Sequence, residues 1–392
     1  MKLLEPFESF EALDEAYRQS RRFILAYSGG KDSTATAILL YKWVLERRPR
    51  DLEVVVLHND TLSEVPTMEH WARRFMGEYV EKMMKLSVRV VTEVATPEPT
   101  DTFYWRVFVR GYPAPTFSFR WCVELLKISP TKRALGRYRD YILIVGSRDE
   151  ESTARSRSMR ARFGSCMAQG SCIGAYFATD NDIPKVAPIR FWSTEDVWAF
   201  LKTQRYFDVK PLFGLYLLNG NLNTRYGCWH CTLARIQQGL YVSDEYLHAE
   251  ALRFIYRAVS DTPSLRVRKE SGYSRLGPLN AVGRSIIYRA IPIIEERIGE
   301  KFFYGLDETR VENHTLRELF YEMPEDKADA TIRRVDSTNR PVPMSALRGG
   351  KIDRDIAKEV MGRVRNIISN NNPFKGKLLN IAKGLVEEIC NC

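Results

Sequence analysis

"LAYSGGKDSTATAILLYKWV", residues 25–44, leaves a short apolar stretch through two glycines and enters a run with a helical apolar face. A turn alone needs one glycine. Two glycines with Lys31, Asp32 and the hydroxyls of Ser28 and Ser33 at the mouth of a helix suggest an anion cradle. The glycines let backbone N–H groups approach an anion, and the helix N-terminus adds partial positive charge. Ser28 and Ser33 can donate to the same oxygens, and Asp32 is placed to orient the loop or a Mg2+ ion. The spacing is not that of the ordinary NTPase P-loop, which puts four residues between its first glycine and Gly-Lys-[Ser/Thr].

Residues 23–27, Leu52–His58 (LEVVVLH), Val88–Val94 (VRVVTEV) and Tyr141–Ser147 (YILIVGS) read as strands, the second of them of buried type. Residues 34–47 and 67–85 read as helices. Short apolar runs alternating with helical ones predict an α/β domain, a parallel sheet flanked by crossover helices. Ligands of such sheets sit beyond the carboxyl ends of the strands. Those ends carry Ser28–Ser33, Asn59-Asp60-Thr61 and Gly146-Ser147-Arg148, so a nucleotide pocket is expected there. Its expected lining is Ser28, Gly29, Gly30, Lys31, Asp32, Ser33, Asp60 and Gly146.

Composition narrows the class. The 392 residues carry a formal charge of +10, with 44% hydrophobic and 28% charged residues. That describes a folded chain of one large or two ordinary domains, not a disordered one. No window holds about 18 uninterrupted apolar residues, and the first apolar run is too short for a signal segment, so a cytoplasmic protein with no membrane partner is expected. The basic balance favours polyanionic partners. Seven cysteines in a chain this long are not a disulfide framework and read as buried, metal-binding or catalytic thiols.

SGGKDS resembles the signature of the PP-loop ATP pyrophosphatases, which cleave ATP between the α and β phosphates. "HNDTLSEVP" (58–66), "RWCVELLKISP" (120–130), "VGSRDEESTARS" (145–156) and "PIRFWSTEDVWAFL" (188–201) resemble motifs of the phosphoadenylylsulfate (PAPS) reductase branch of that superfamily. The resemblance covers roughly residues 20–300. It implies an adenine nucleotide alpha-hydrolase-like fold, a PP-loop domain over 1–240 and a mainly helical, basic region over 241–392. It also implies ATP with Mg2+, and catalytic roles for Lys31, Asp32, Lys127, Arg148 and Arg155. Within the run that follows the fourth strand, Arg148 and Arg155 are expected to face the reacting phosphate. Arg157, Arg160 and Arg162 either guide a polynucleotide or form a solvated loop.

"NTRYGCWHCTLARIQQGL" (223–240) resembles a segment of DndC, the PP-loop component of DNA phosphorothioation, and the SspD-type component fits as well. "RLGPLNAVGRSIIYRAI" (275–291) resembles the helix that follows in that family. The likeness implies an ATP pyrophosphatase acting as a sulfurtransferase: it adenylylates a DNA backbone phosphate so that sulfur can displace AMP. A cysteine desulfurase would supply the sulfur, with other phosphorothioation-complex subunits as partners. It further implies a [4Fe–4S] cluster, and the C-x2-C spacing of Cys228 and Cys231 suits two ligands from one turn. Cys122 is the third candidate and Cys172 the fourth, with Cys166 as its alternative; structural Zn2+ or unligated buried thiols are the competing readings.

Two other functions stay open. A PAPS or APS reductase would form sulfite with a thiol reductant, for which the terminal "EEICNC" offers Cys390 and Cys392. A tRNA-thiolating PP-loop enzyme would use the same ATP chemistry on a base. Residues 331–392 hold twelve Lys/Arg against six Asp/Glu, which suits DNA or a protein partner.

Overall fold

The computed structural model describes residues 7–151, 157, 159, 161–164, 172–180, 182–217, 226–234, 236–267, 277–299, 352–368 and 372–390. The chain divides into two compact units that interleave in sequence. One comprises Met1–Asp60, Pro66–Ala95 and Pro130–Tyr226; the other comprises Thr61–Val65, Thr96–Ser129 and Gly227–Cys392.

In the first unit, α1 (Phe7–Gln19) precedes β1 (Arg22–Tyr27), α2 (Lys31–Arg47), β2 (Glu53–Asn59), α3 (Pro66–Lys85) and β3 (Arg89–Ala95). Three strands follow: β4 (Tyr141–Ile144), β5 (Phe177–Asp180) and β6 (Ile183–Val186). They form one six-stranded sheet in the order β3-β2-β1-β4-β6-β5. The strand period of two sorts the apolar residues onto its faces. Phe23, Leu25 and Tyr27 of β1 and Val54 and Val56 of β2 join the core built with α1, α2 and α3. Ile24, Val55 and Leu57 face the opposite core with Ala134, Leu135 and Leu143. Both faces of the central strands are therefore buried, which is why their sequences read as continuous apolar runs.

The sheet is parallel, as expected, except at one edge. β1, β2, β3, β4 and β6 pair in parallel, but β5 runs antiparallel to β6 at the edge. A tight turn through Asp182, whose φ is +62°, joins the two strands, so β5 is a hairpin partner and not a crossover strand.

The second unit is built around the helix Leu247–Asp261. Twelve of its residues are buried, beneath the helices Ala281–Ile298, Arg354–Ile367 and Lys375–Cys390. Asn280 caps the first of these three by accepting from the Gly283 amide at 2.9 Å, and Gly299 closes it with φ +75°. Cys390 ends the last helix and packs against the same core; Cys392 lies outside the described residues. Among the described residues no helix is long and apolar enough to cross a membrane.

A buried ion pair ties this unit together. Arg253, one helical turn from Glu250, donates to it at 2.6 and 2.7 Å, and also donates to the carbonyls of Cys231 and Ala234 at 3.0 and 2.7 Å. Both side chains are almost fully enclosed. Removing one charge strands the other away from water, so Arg253→Ala should destabilise this unit by about 3–5 kcal/mol, read from urea unfolding. A variant within about 1 kcal/mol of wild type would show that water reaches the pair.

Candidate functional site: the Ser28–Ser33 cradle

β1 ends at Tyr27, and α2 begins at Lys31, three residues earlier than the sequence suggested. The cause is its cap: Gly30 takes the N-cap position in extended conformation, with no side chain bonding back to the first turn. Lys31, Asp32 and Ser33 therefore lie inside that turn, where backbone N–H groups lack helical partners. The Lys31 amide meets the Tyr216 hydroxyl at 3.3 Å.

The cradle is shaped by close approaches. Gly29 has φ +76°, and a Cβ there would lie 2.8 Å from the Ala72 Cβ. Trp71 donates its indole N–H to the Gly29 carbonyl at 2.9 Å. The Ser28 amide donates to the Ser33 hydroxyl at 3.2 Å, the two serine hydroxyls lie 3.1 Å apart, and Ser33 donates to the Gly30 carbonyl at 3.0 Å. A Cβ on Gly146 would come within 2.9 Å of the Asp32 carbonyl oxygen. Gly146 thus lets the end of β4 press against the first turn of α2.

Asp32 is clamped from both sides. Lys31 Nζ donates to Oδ2 at 3.2 Å and Arg148 Nε to Oδ1 at 2.7 Å. Arg148 is only 1% exposed. Its remaining nitrogens donate to Glu150 at 3.3 Å, the Trp192 carbonyl at 2.9 Å and Thr194 Oγ1 at 3.2 Å. Expected to face a phosphate, Arg148 instead spends these bonds on protein groups and holds Asp32 in place. Arg155 and Arg160 lie outside the described residues. Arg157 and Arg162 are exposed, and Arg162 pairs with Asp180 at 3.2 Å.

At the end of β2 a second polar network comes together, most of it absent from the sequence reading. His58 Nε2 meets Glu69 Oε2 at 3.1 Å, and its Nδ1 lies 3.0 Å from the Tyr27 carbonyl. Arg73 donates to Glu69 at 2.6 Å and to the buried Asp60 at 2.9 Å. Glu69 and Arg73 stand four residues apart on α3, a spacing that the sequence does display. Burial pulls the His58 pKa down, but the Glu69 hydrogen bond and charge outweigh it, and the net shift is upward. For Glu69, burial pushes up while His58 and Arg73 hold the carboxyl below its usual range.

The cysteines do not form the expected metal centre. In the second unit, Cys228 bridges antiparallel to Glu64, its thiol donates to Glu64 Oε1 at 3.6 Å, and Thr61 Oγ1 lies 3.4 Å from its sulfur. The Cys231 amide closes the C-x2-C turn on the Cys228 carbonyl at 3.1 Å, and Gln237 donates to that carbonyl at 2.7 Å. Lys127 Nζ lies 3.7 Å from Glu64, and the charges of Cys228 and then Glu64 raise its pKa. Burial pushes the Cys228 thiol up to about 12 and the Cys122 thiol up to about 11. Cys172 belongs to the first unit and is disulfide-bonded, and Cys166 lies outside the described residues. His230, buried and stacked on Phe103 at 4.0 Å, has neither ring nitrogen hydrogen-bonded. Among the described residues no three His, Cys, Asp or Glu side chains converge to hold a metal ion. The described residues thus provide no site for the expected [4Fe–4S] cluster, or for Zn2+ in its place, on Cys122, Cys172, Cys228 and Cys231.

Among comparisons with known proteins, a family model agrees with the fold. The family model described as "phosphoadenosine phosphosulfate reductase domain" matches residues 22–234. The uncharacterized Methanocaldococcus jannaschii protein MJ0973 is 26% identical over 221 residues, 56% of this chain and 44% of that protein. A second from the same organism, MJ0066, is 26% identical over 215 residues, 53% of this chain and 35% of its own length. The match thus spans less than half of either relative. A PAPS reductase structure from Candida auris, in complex with phosphate, aligns with a TM-score of 0.36 and 14% identity, covering 57% of this chain and 90% of that one. At that score the likeness carries no argument.

Two outcomes follow from this geometry. Gly29→Ala combines a left-handed backbone with a clash against α3, so it should weaken phosphate-ligand binding more than tenfold while the circular dichroism of the fold persists. Unchanged affinity would mean the loop plays no part in binding. The raised His58 pKa stabilises the folded chain below about pH 6.5, and the contribution is lost as pH rises through the folded value. The stability difference between wild type and His58→Asn, from thermal melts, should shrink as pH rises above about 6.5; a constant difference would contradict a charged His58.

Proposed function

Because the chain belongs to the phosphoadenosine phosphosulfate reductase domain family, we propose that it holds an adenosine nucleotide by its phosphate chain on the Ser28–Ser33 cradle. Its chemistry then falls at the nucleotide's α-phosphate, or at sulfur joined to it. The observation that carries this reading is the first turn of α2, which has no N-cap side chain: it sets backbone amides, two serine hydroxyls and Lys31 beside an Asp32 already neutralised by Arg148. An anion there meets donors and a cation whose positions are fixed before it arrives.

The family favours an adenylyl sulfate, so the leading reading is a PAPS or APS reductase. Such an enzyme takes two electrons from a pair of thiols, which become a disulfide, and releases sulfite and the nucleoside phosphate. A second reading has its own support: the loop keeps Lys31 and both serines, a set suited to the charged pyrophosphate that leaves when ATP is cleaved between α and β. In that case the chain activates an acceptor for sulfur, either a tRNA base or, from the likeness of 223–240 to DndC and SspD, a DNA backbone phosphate. A cysteine desulfurase and other phosphorothioation subunits are then the proposed partners. In either reading Lys31 touches the phosphates and Arg148 acts through Asp32.

Separate calorimetric titrations with PAPS, APS and ATP, followed by product analysis, test the proposal. One nucleotide should bind, and Ser33→Ala should weaken it about tenfold or more, as expected when a hydrogen bond to a charged group is lost. Sulfite as product supports the reductase; pyrophosphate supports the second reading. Failure of all three to bind, or indifference to Ser33→Ala, would overturn the assignment of the cradle.

A further inference from the structure

The second unit carries an aromatic tip that the nucleotide reading does not use. Residues 111–120, GYPAPTFSFR, leave a π-helical turn at Trp105–Val109 and fold back through a tight turn. The Thr116 and Phe119 backbones donate to each other at 3.2 and 3.1 Å, which places Phe117 and Ser118 at the apex. Phe117 is 74% exposed and Phe119 44%, on a strand of chain where apolar side chains otherwise turn inward. The Arg120 guanidinium lies over the Phe117 ring, 5.2 Å from its centroid. Arg110 is also exposed, and neither arginine has a carboxylate partner among the described residues.

The base of this projection is held firmly. Ser260 accepts from the Ala114 amide at 2.8 Å, and Trp121 donates to the Pro113 carbonyl at 3.0 Å. Thr232 donates to the Pro115 carbonyl at 2.6 Å, and Leu279 donates its amide to the Gly111 carbonyl at 2.7 Å. Gly111, at φ +71°, makes room for Arg284, whose guanidinium would lie under 3.0 Å from a Cβ. Behind the tip, Phe119 leans on Tyr112 at 6.0 Å, and Tyr112 meets Trp121 edge-on at 5.3 Å. Phe117 and Phe119 thus hold apolar ring faces toward solvent on a well-anchored turn.

We infer that this tip is a stacking platform for an unpaired polynucleotide strand. Phe117 and Phe119 offer π-faces to bases, while Arg110 and Arg120 meet the flanking phosphates. Two guanidinium groups without carboxylate partners beside the rings complement a strand that carries one phosphate for every base. The net charge of +10 agrees in sign. Duplex DNA hides its π-faces in the base stack, so the geometry selects single strands. The inference rests on the tip alone and holds whichever nucleotide the cradle takes.

The test is fluorescence anisotropy of the full chain with a labelled oligodeoxythymidylate of about 20 nucleotides, its duplex with oligodeoxyadenylate, and an abasic strand of equal length. Wild type should prefer the single strand over the duplex. Phe117→Ala should weaken that binding about tenfold, and the abasic strand should bind wild type no better than the intact strand binds Phe117→Ala. Arg120→Gln should reduce the salt dependence of binding. The melting temperature of each variant must match wild type, since these side chains carry little of the core. Equal affinity for intact and abasic strands, no loss in both Phe117→Ala and Phe119→Ala, or no binding by wild type would each overturn the inference.

Discussion

The Asp32–Arg148 ion pair is the constraint on which the candidate site depends. Arg148 is buried, and a buried guanidinium must have its charge matched and its N–H groups bonded. Asp32 supplies the charge, while Glu150, Trp192 and Thr194 supply the remaining acceptors. This joins the first turn of α2 to the segments after β4 and β6. With Asp32 fixed, Lys31 and Ser33 on either side of it are fixed as well. Gly146 permits the approach because any Cβ there would strike the Asp32 backbone. The glycines, the pair and the serine bonds are parts of one preorganised turn.

The same principle of matched buried charge recurs elsewhere. In the second unit Glu250 and Arg253 satisfy each other and pin the turn that contains Cys231. At the end of β2, His58, Glu69, Arg73 and Asp60 alternate in sign along one chain of contacts. Cys228 shows the opposite solution. Beside a carboxylate and out of water, its thiol keeps the proton and donates it to Glu64.

Most of the first unit was legible in the sequence because its central strands are buried on both faces. Residues 23–27 and 52–58 read as strands to within about one residue for that reason, whereas 88–94, a largely exposed edge strand, was legible from its β-branched valines and threonine. β5 and β6 were missed because FATD and IPKV carry Asp180, Pro184 and Lys185, which dilute the apolar signal at an edge. The start of α2 was placed late because a cap is usually a side-chain oxygen, whereas here it is Gly30. Ser28–Ser33 was readable as a local motif. His58 with Glu69 was not, since the contact depends on how α3 packs against β2. The C-x2-C spacing of Cys228 and Cys231 was just as visible, yet it misled: the neighbour that decides its chemistry, Glu64, lies 164 residues away in sequence.

The most direct test of the preorganised cradle is hydrogen exchange, followed by mass spectrometry, of peptides covering Tyr27–Thr34 with and without the nucleotide that binds. Slowed exchange in that segment, present in wild type and absent in Arg148→Gln, is the result this account predicts. Unchanged exchange there while the nucleotide is bound would place the ligand elsewhere and contradict it.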